Sequence, residues 1–253
     1  MGEQLPLDDF RLTHGICERC EATLDDVSPP PPNLGAERLL RELEAASRSG
    51  AFELAAQTIR RALDSGIRGS EILIGVLSPA LCAVGKQWEC GELTVAEEHR
   101  FTAFSSSVID QIGGIAPAIE PPAVVLVPMS GNTHELGVRM LQLLAWERGI
   151  AVRRLPVGLT PEEIVAAGRQ LQPRHFGISV SLEESIPQSF ELGNRLLEVL
   201  PASSSLALGG GAFRRREVRS PQSGLRVLRT MDEYLDWVEP VGLKLAAPAM
   251  GLT

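Results

Sequence analysis

Apolar positions repeat along this chain at helical spacing in its first half, and in short continuous runs in its second. Leu39, Leu40, Leu43 and Ala46 mark a first amphipathic helix, stopped near Gly50. Phe52, Leu54, Ala55, Ile59 and Leu63 mark a second, ended by Ser65-Gly66. Ile72, Leu73, Val76, Leu77, Leu81 and Val84 mark a third that runs through Pro79 towards Trp88. Val95, Phe101, Phe104, Val108 and Ile112 mark a fourth, with Thr94 as N-cap and Glu97 completing a capping box. Short connections between amphipathic helices predict antiparallel neighbours in a four-helix bundle.

Beyond the Pro-rich stretch Ile115–Pro122 the pattern changes. Ala123-Val124-Val125-Leu126-Val127-Pro128 is the continuous apolar run of a strand buried on both faces. A helix follows on Leu136, Met140, Leu141, Leu144 and Ala145, with a Gly149 stop. Strands are then predicted at Val152–Leu155, His175–Ser181, Leu206–Leu208 and Leu225–Val227. The helices between and after them run from Thr160-Pro161 to Leu171, from Ile186 to Leu200, and from Met231 to Val238. Such alternation implies parallel pairing with right-handed crossovers. The fold class expected is α/β: an N-terminal four-helix bundle followed by a Rossmann-like, flavodoxin-like parallel-sheet domain. The divisions expected are 1–33 (an acidic, Pro-rich segment), 34–114 (the bundle), 115–122 (a linker), 123–240 (the sheet domain) and 241–253 (a tail).

Composition narrows the function classes. With 253 residues, 44% of them hydrophobic, the chain can bury a sizeable core, and its formal net charge is -8. No basic face for nucleic acid is evident, and Arg214-Arg215-Arg216 reads as a solvated loop. No apolar run approaches the ~20 residues of a membrane span, and the N-terminus lacks an export signal pattern. Four cysteines are too few for a disulfide scaffold, so a cytoplasmic protein is expected. His14, Cys17 and Cys20 would supply only three metal ligands, so that segment reads as a tail or docking peptide.

Candidate chemistry begins at Asn132-Thr133-His134-Glu135-Leu136-Gly137. His134 falls in the loop at the carboxyl end of the first strand, where open α/β sheets bind ligands. A neutral imidazole there is a good metal ligand, and its second nitrogen needs a partner, for which Asn132 and Glu135 are the neighbours. Two further groups fall at carboxyl ends of strands. Ser179, Ser181 and Leu182 could offer hydroxyls, and Gly209-Gly210 could let a ligand approach backbone or simply make a tight turn. His175, at a strand start, reads as structural.

His134 and Gly137 resemble the D-x-H-x-x-G signature of cobalamin-binding domains, with Asn132 where the acid usually stands. Trp88, Glu98 and His99 resemble the W-x9-E-H motif of cobalamin-binding photoreceptor and regulator domains, in the same order along the chain. The resemblance implies a sandwiched corrin. His134 would be the lower axial ligand of cobalt, and Trp88 would lie against the upper ligand with Glu98 and His99 lining that side. Ser179, Ser181, Leu182, Gly209 and Gly210 would hold the displaced nucleotide tail, with Asn132, Thr133 and Glu135 around the ligand. Glu89 stands where some light-responsive relatives carry a histidine, which leaves His99 as the candidate upper ligand.

The implied cofactor is cobalamin in its adenosyl, methyl or hydroxo form. The implied role is a cytoplasmic sensor or transcriptional regulator of the antirepressor type, light-responsive in some relatives. Such a protein acts on a repressor or other regulatory protein rather than on DNA, and is not an enzyme. Two alternatives use the same layout: a corrinoid methyl carrier serving methyltransferases, and a haem sensor ligated by His134 and His99.

Overall fold

The computed structural model describes residues 34–113, 121–131, 134–215, 218 and 223–239. The chain divides into two compact units, Met1–Gly114 and Ile115–Thr253.

In the first unit, the helices are α1 (Leu34–Ser49), α2 (Glu53–Asp64), α3 (Gly69–Glu89) and α4 (Val95–Gly113). α1 packs against each of the others, and α4 against α2 and α3. The core is the stripe the periodicity predicts: Leu43, Ile59, Leu73, Leu77 and Phe101 are all but sealed from solvent. Phe52 stacks on Phe104 at 4.6 Å between ring centroids. Leu54, one position off the Ala55–Ile59 stripe, is 53% exposed, contrary to its place in the expected pattern.

α3 continues through Pro79 by widening. Residues Leu73–Leu77 form a π turn, in which the Ser78 N–H donates to the Leu73 carbonyl five residues back. Proline has no N–H and its ring crowds the carbonyl four residues earlier, so a wider turn just before it relieves the clash. The expectation of no span-length apolar run needs correction here. By length and composition alone, Gly69–Glu89 could cross a membrane. Its apolar residues Ile72, Leu73, Val76, Leu77, Ala80 and Val84 are buried within the unit, while Glu71, Lys86 and Glu89 are exposed. Periodicity, rather than a long apolar run, is what made the sequence read as a packed helix.

The second unit is a doubly wound sheet. Its elements are β1 (Val124–Pro128), α5 (Leu136–Glu147), β2 (Val152–Arg154), α6 (Pro161–Leu171), β3 (His175–Ser179) and α7 (Ile186–Leu197). Then come β4 (Ser205–Gly209), a short helix α8 (Gly211–Arg215), β5 (Leu225–Leu228) and α9 (Met231–Val238). All pairings are parallel, in the order β2-β1-β3-β4-β5. α6 starts as its sequence predicts. The Thr160 side chain accepts from the Glu163 N–H, and the Glu163 carboxylate accepts from the Thr160 N–H. α8 was not foreseen, because its five residues are too few to show a period.

Each face of the sheet has its own partners. Val125, Val127, Phe176, Ile178, Leu206 and Leu208 share a core with Ile164 of α6 and Leu192 and Leu196 of α7. On the other side α5 and α9 pack together. There Gly177 makes room for Trp237: a Cβ at Gly177 would lie 2.8 Å from a Leu126 methyl and 3.6 Å from the indole.

Candidate functional site

The strand order places a topological switch point between β1 and β3, since β1 connects outward to β2 and the chain then crosses back. Open α/β sheets bind ligands in the crevice at such a point, beyond the carboxyl ends of the strands. In register, Pro128 ends β1 opposite Ser179, and Ser179 ends β3 opposite Gly209. Three strand ends therefore finish on one level.

The loops above this row are stitched together by backbone. Met129 N–H donates to the Ser179 carbonyl at 2.8 Å, Val180 N–H to the Gly209 carbonyl at 2.7 Å, and Ala212 N–H to the Val180 carbonyl at 3.1 Å. Gly210 is required by this stitching. Its φ is +111°, and a Cβ there would stand 2.5 Å from the Val180 oxygen. Gly209 is likewise tight, its Cβ position 3.0 Å from the Leu228 oxygen. The turn reading of these glycines thus accounts for both on packing grounds alone.

His134 is exposed in the loop between β1 and α5, and Glu135 is the residue just before α5. Asn132 and Thr133 lie outside the described residues, as do His14, Cys17, Cys20 and most of the linker. Gly137, in the first turn of α5, is exposed, and a Cβ there would meet only the Ser179 hydroxyl, at 3.9 Å. The structure so brings Gly137 and Ser179 together beside the His134 loop. Ser181 is half-buried on the next loop, its carbonyl 3.5 Å from where a Gly211 Cβ would be, and Leu182 is 39% exposed.

Glu135 is engaged by two arginines. Arg154 Nη1 donates to its Oε2 at 3.0 Å, and Arg139 Nη1 lies 3.8 Å from its Oε1. Reading along the sequence did not single out these arginines. The Glu135–Arg139 spacing of one helical turn was a readable signal. The approach of Arg154 depends on the β1–β2 register, which no local pattern shows.

In the helical unit Trp88 stands in the last turn of α3 and is 46% exposed, so it is not a core anchor. Glu98 and His99 lie near the start of α4, whose N-cap is built as expected. The Thr94 hydroxyl and N–H donate to Glu97, holding that carboxyl below its usual range. Glu98 accepts from the Thr102 hydroxyl at 2.7 Å, and the His99 Nε2 is 3.7 Å from Glu98 Oε2.

Among the described residues no three His, Cys, Asp or Glu side chains converge as a cage for a bare ion. A single imidazole at the sheet edge would instead suit a metal that arrives with most of its ligands already supplied by a macrocycle.

Residues 39–112 match the family model of the B12 binding domain. Over 159 residues, 63% of its length, the chain is 27% identical to the HTH-type transcriptional repressor CarH of Myxococcus xanthus. It spans about half of that relative, 53%. Its fold is similar to that of the Methanosarcina barkeri monomethylamine corrinoid protein, at a TM-score of 0.63 and 16% identity. That likeness covers 81% of this chain and 99% of the other.

Proposed function

We propose that the chain, whose residues 39–112 match the B12 binding domain, is a cobalamin-dependent regulator acting on another regulatory protein. Gly137 carries the reading. A glycine in the first turn of a helix costs about 0.5–1 kcal/mol relative to alanine. Nothing among the described residues demands it, since an added Cβ would make only an ordinary contact with Ser179 there. The space it leaves, three residues past His134 and against a strand-end hydroxyl, suits a ligand that presses close to backbone.

A bound cobalamin would supply a cobalt ion able to exchange ligands, and His134 would offer it an imidazole lone pair. The Ser179 and Ser181 hydroxyls and the backbone at Gly209 and Gly210 hold the polar nucleotide tail, with Leu182 as apolar cover. In the helical unit by itself, the exposed Trp88 would offer a flat, apolar surface suited to a corrin face, and Glu98 and His99 would offer polar groups. The similarity to a transcriptional repressor supports a regulatory role, and a net charge of -8 favours action through a protein partner over direct contact with DNA.

The full chain, incubated in the dark with adenosyl-, methyl- and hydroxocobalamin and then desalted, should retain corrin absorption bands. Spectra before and after illumination report whether the upper ligand is light-labile. His134→Ala should weaken retention at least about tenfold and shift the spectrum towards a water-ligated form. A chain that keeps no corrin, or takes up haem with a Soret band instead, would reject the proposal.

A further inference from the structure

We propose that Arg154, acting through Glu135, is a positioning residue for His134; this rests on reading His134 as the cobalt ligand. An exposed imidazole must be brought to one place and orientation to meet a metal, and each backbone or side-chain rotation fixed on binding subtracts from affinity. The loop carrying His134 is held at its near end by the Met129–Ser179 backbone bond. Its far end is held by Glu135, the residue peptide-bonded to His134.

The carboxylate of Glu135 is reached from two elements. Arg154 is the last residue of the edge strand β2, and Arg139 lies one turn into α5. Arg154 is itself fixed. It pairs in register with Leu126, and the following Leu155 N–H donates to the Leu126 carbonyl at 2.8 Å. The Arg139 side chain is only 11% exposed, with Arg154 at 32% and Glu135 at 42%. An isolated surface pair would hold little. A carboxylate set between two guanidiniums on different elements, one almost buried, defines a direction as well as an energy. The triad thereby ties the His134 backbone to the edge of the sheet.

The test uses the full chain grown on heavy nitrogen, loaded with hydroxocobalamin and reduced to the cobalt(II) form for electron paramagnetic resonance. An axial heavy nitrogen from the protein splits each line into a doublet, whereas the corrinoid's own base, of natural isotope, gives a triplet. The wild-type chain should give doublets. Arg154→Gln should give a mixture of doublet and triplet, with cobalamin retention weakened about tenfold. Arg154→Lys, which restores the charge, should recover the doublet. Glu135→Gln, isosteric with the native residue, should behave like Arg154→Gln and serves should that variant fail to fold. Pure doublets and native retention in both Gln variants would overturn the positioning role while leaving His134 as ligand. Triplets in the wild-type chain would instead overturn the ligand assignment, and the positioning role with it.

Discussion

The two ends of the same parallel sheet carry one histidine each, and they are built in opposite ways. At the amino end Val124, His175 and Ser205 stand in register, and Trp237 of α9 packs against the last two. His175 meets the edge of Trp237 at 4.7 Å between ring centroids. The Trp237 N–H donates to the Ser205 hydroxyl at 2.6 Å, and Trp237 itself is 4% exposed. At the carboxyl end, loops replace the helix as cover, His134 and Gly137 are exposed, and Gly137 sits where the described residues leave room for a side chain. Filling one edge with aromatic side chains stabilises the sheet. Leaving the other open contributes nothing to the isolated chain, and the proposed ligand site would account for it.

Glycines at the carboxyl edge divide by the same test. Gly210→Ala should produce the largest effect. It forces a Cβ against the Val180 carbonyl at a φ that L-residues avoid, and should destabilise the sheet unit by about 3 kcal/mol, read from denaturant midpoints. Gly137→Ala should do the reverse to stability. With room for the methyl and a helical backbone, the unfolding midpoint should hold or rise by up to about 1 kcal/mol. Cobalamin retention should nevertheless fall about tenfold, because the methyl occupies ligand space; one tenfold step is about 1.4 kcal/mol. Unchanged retention in this variant would erase the distinction between a glycine kept for packing and one kept for a guest.

Much of this was legible in the chain because it rests on short-range rules. The burial of β1 from Val124 to Pro128, the Thr94 and Thr160 capping boxes and the parallel α/β alternation each follow from residues within a few positions of one another. The position of His134 beyond a strand end was legible for the same reason. What stayed hidden depends on pairing across the sheet. The sequence pattern extends β3 to Ser181, but the paired strand ends at Ser179, and Val180 is tied instead to Gly209 and Ala212 in the loops beyond it. The Arg154–Glu135 contact needs the β2 register, and α8 is too short to show a period. Gly209 and Gly210 could be noticed as candidates, yet only the contacts with Leu228 and Val180 reveal that packing alone requires them.

The amino edge can be examined by its own proton. Burial, with Arg174 and Arg226 nearby, lowers His175 to about 4 from an ordinary 6.5, and its buried Nδ1 makes no hydrogen bond among the described residues. Between those two values the unfolded chain binds a proton at this position that the folded chain refuses. The stability His175 contributes is therefore complete above about pH 6.5 and is lost as pH falls towards 4. His175→Phe keeps a ring against Trp237 and removes the titrating group. Its melting temperature should fall less steeply than the wild type's over that window, by a few degrees, the two curves running parallel above it. The ring is part-exposed, so solvent screens the effect and makes it the smallest of those expected here. Identical slopes would mean that the closed edge admits a charged imidazole at no cost, and that burial there is not what sets it apart from the edge bearing His134.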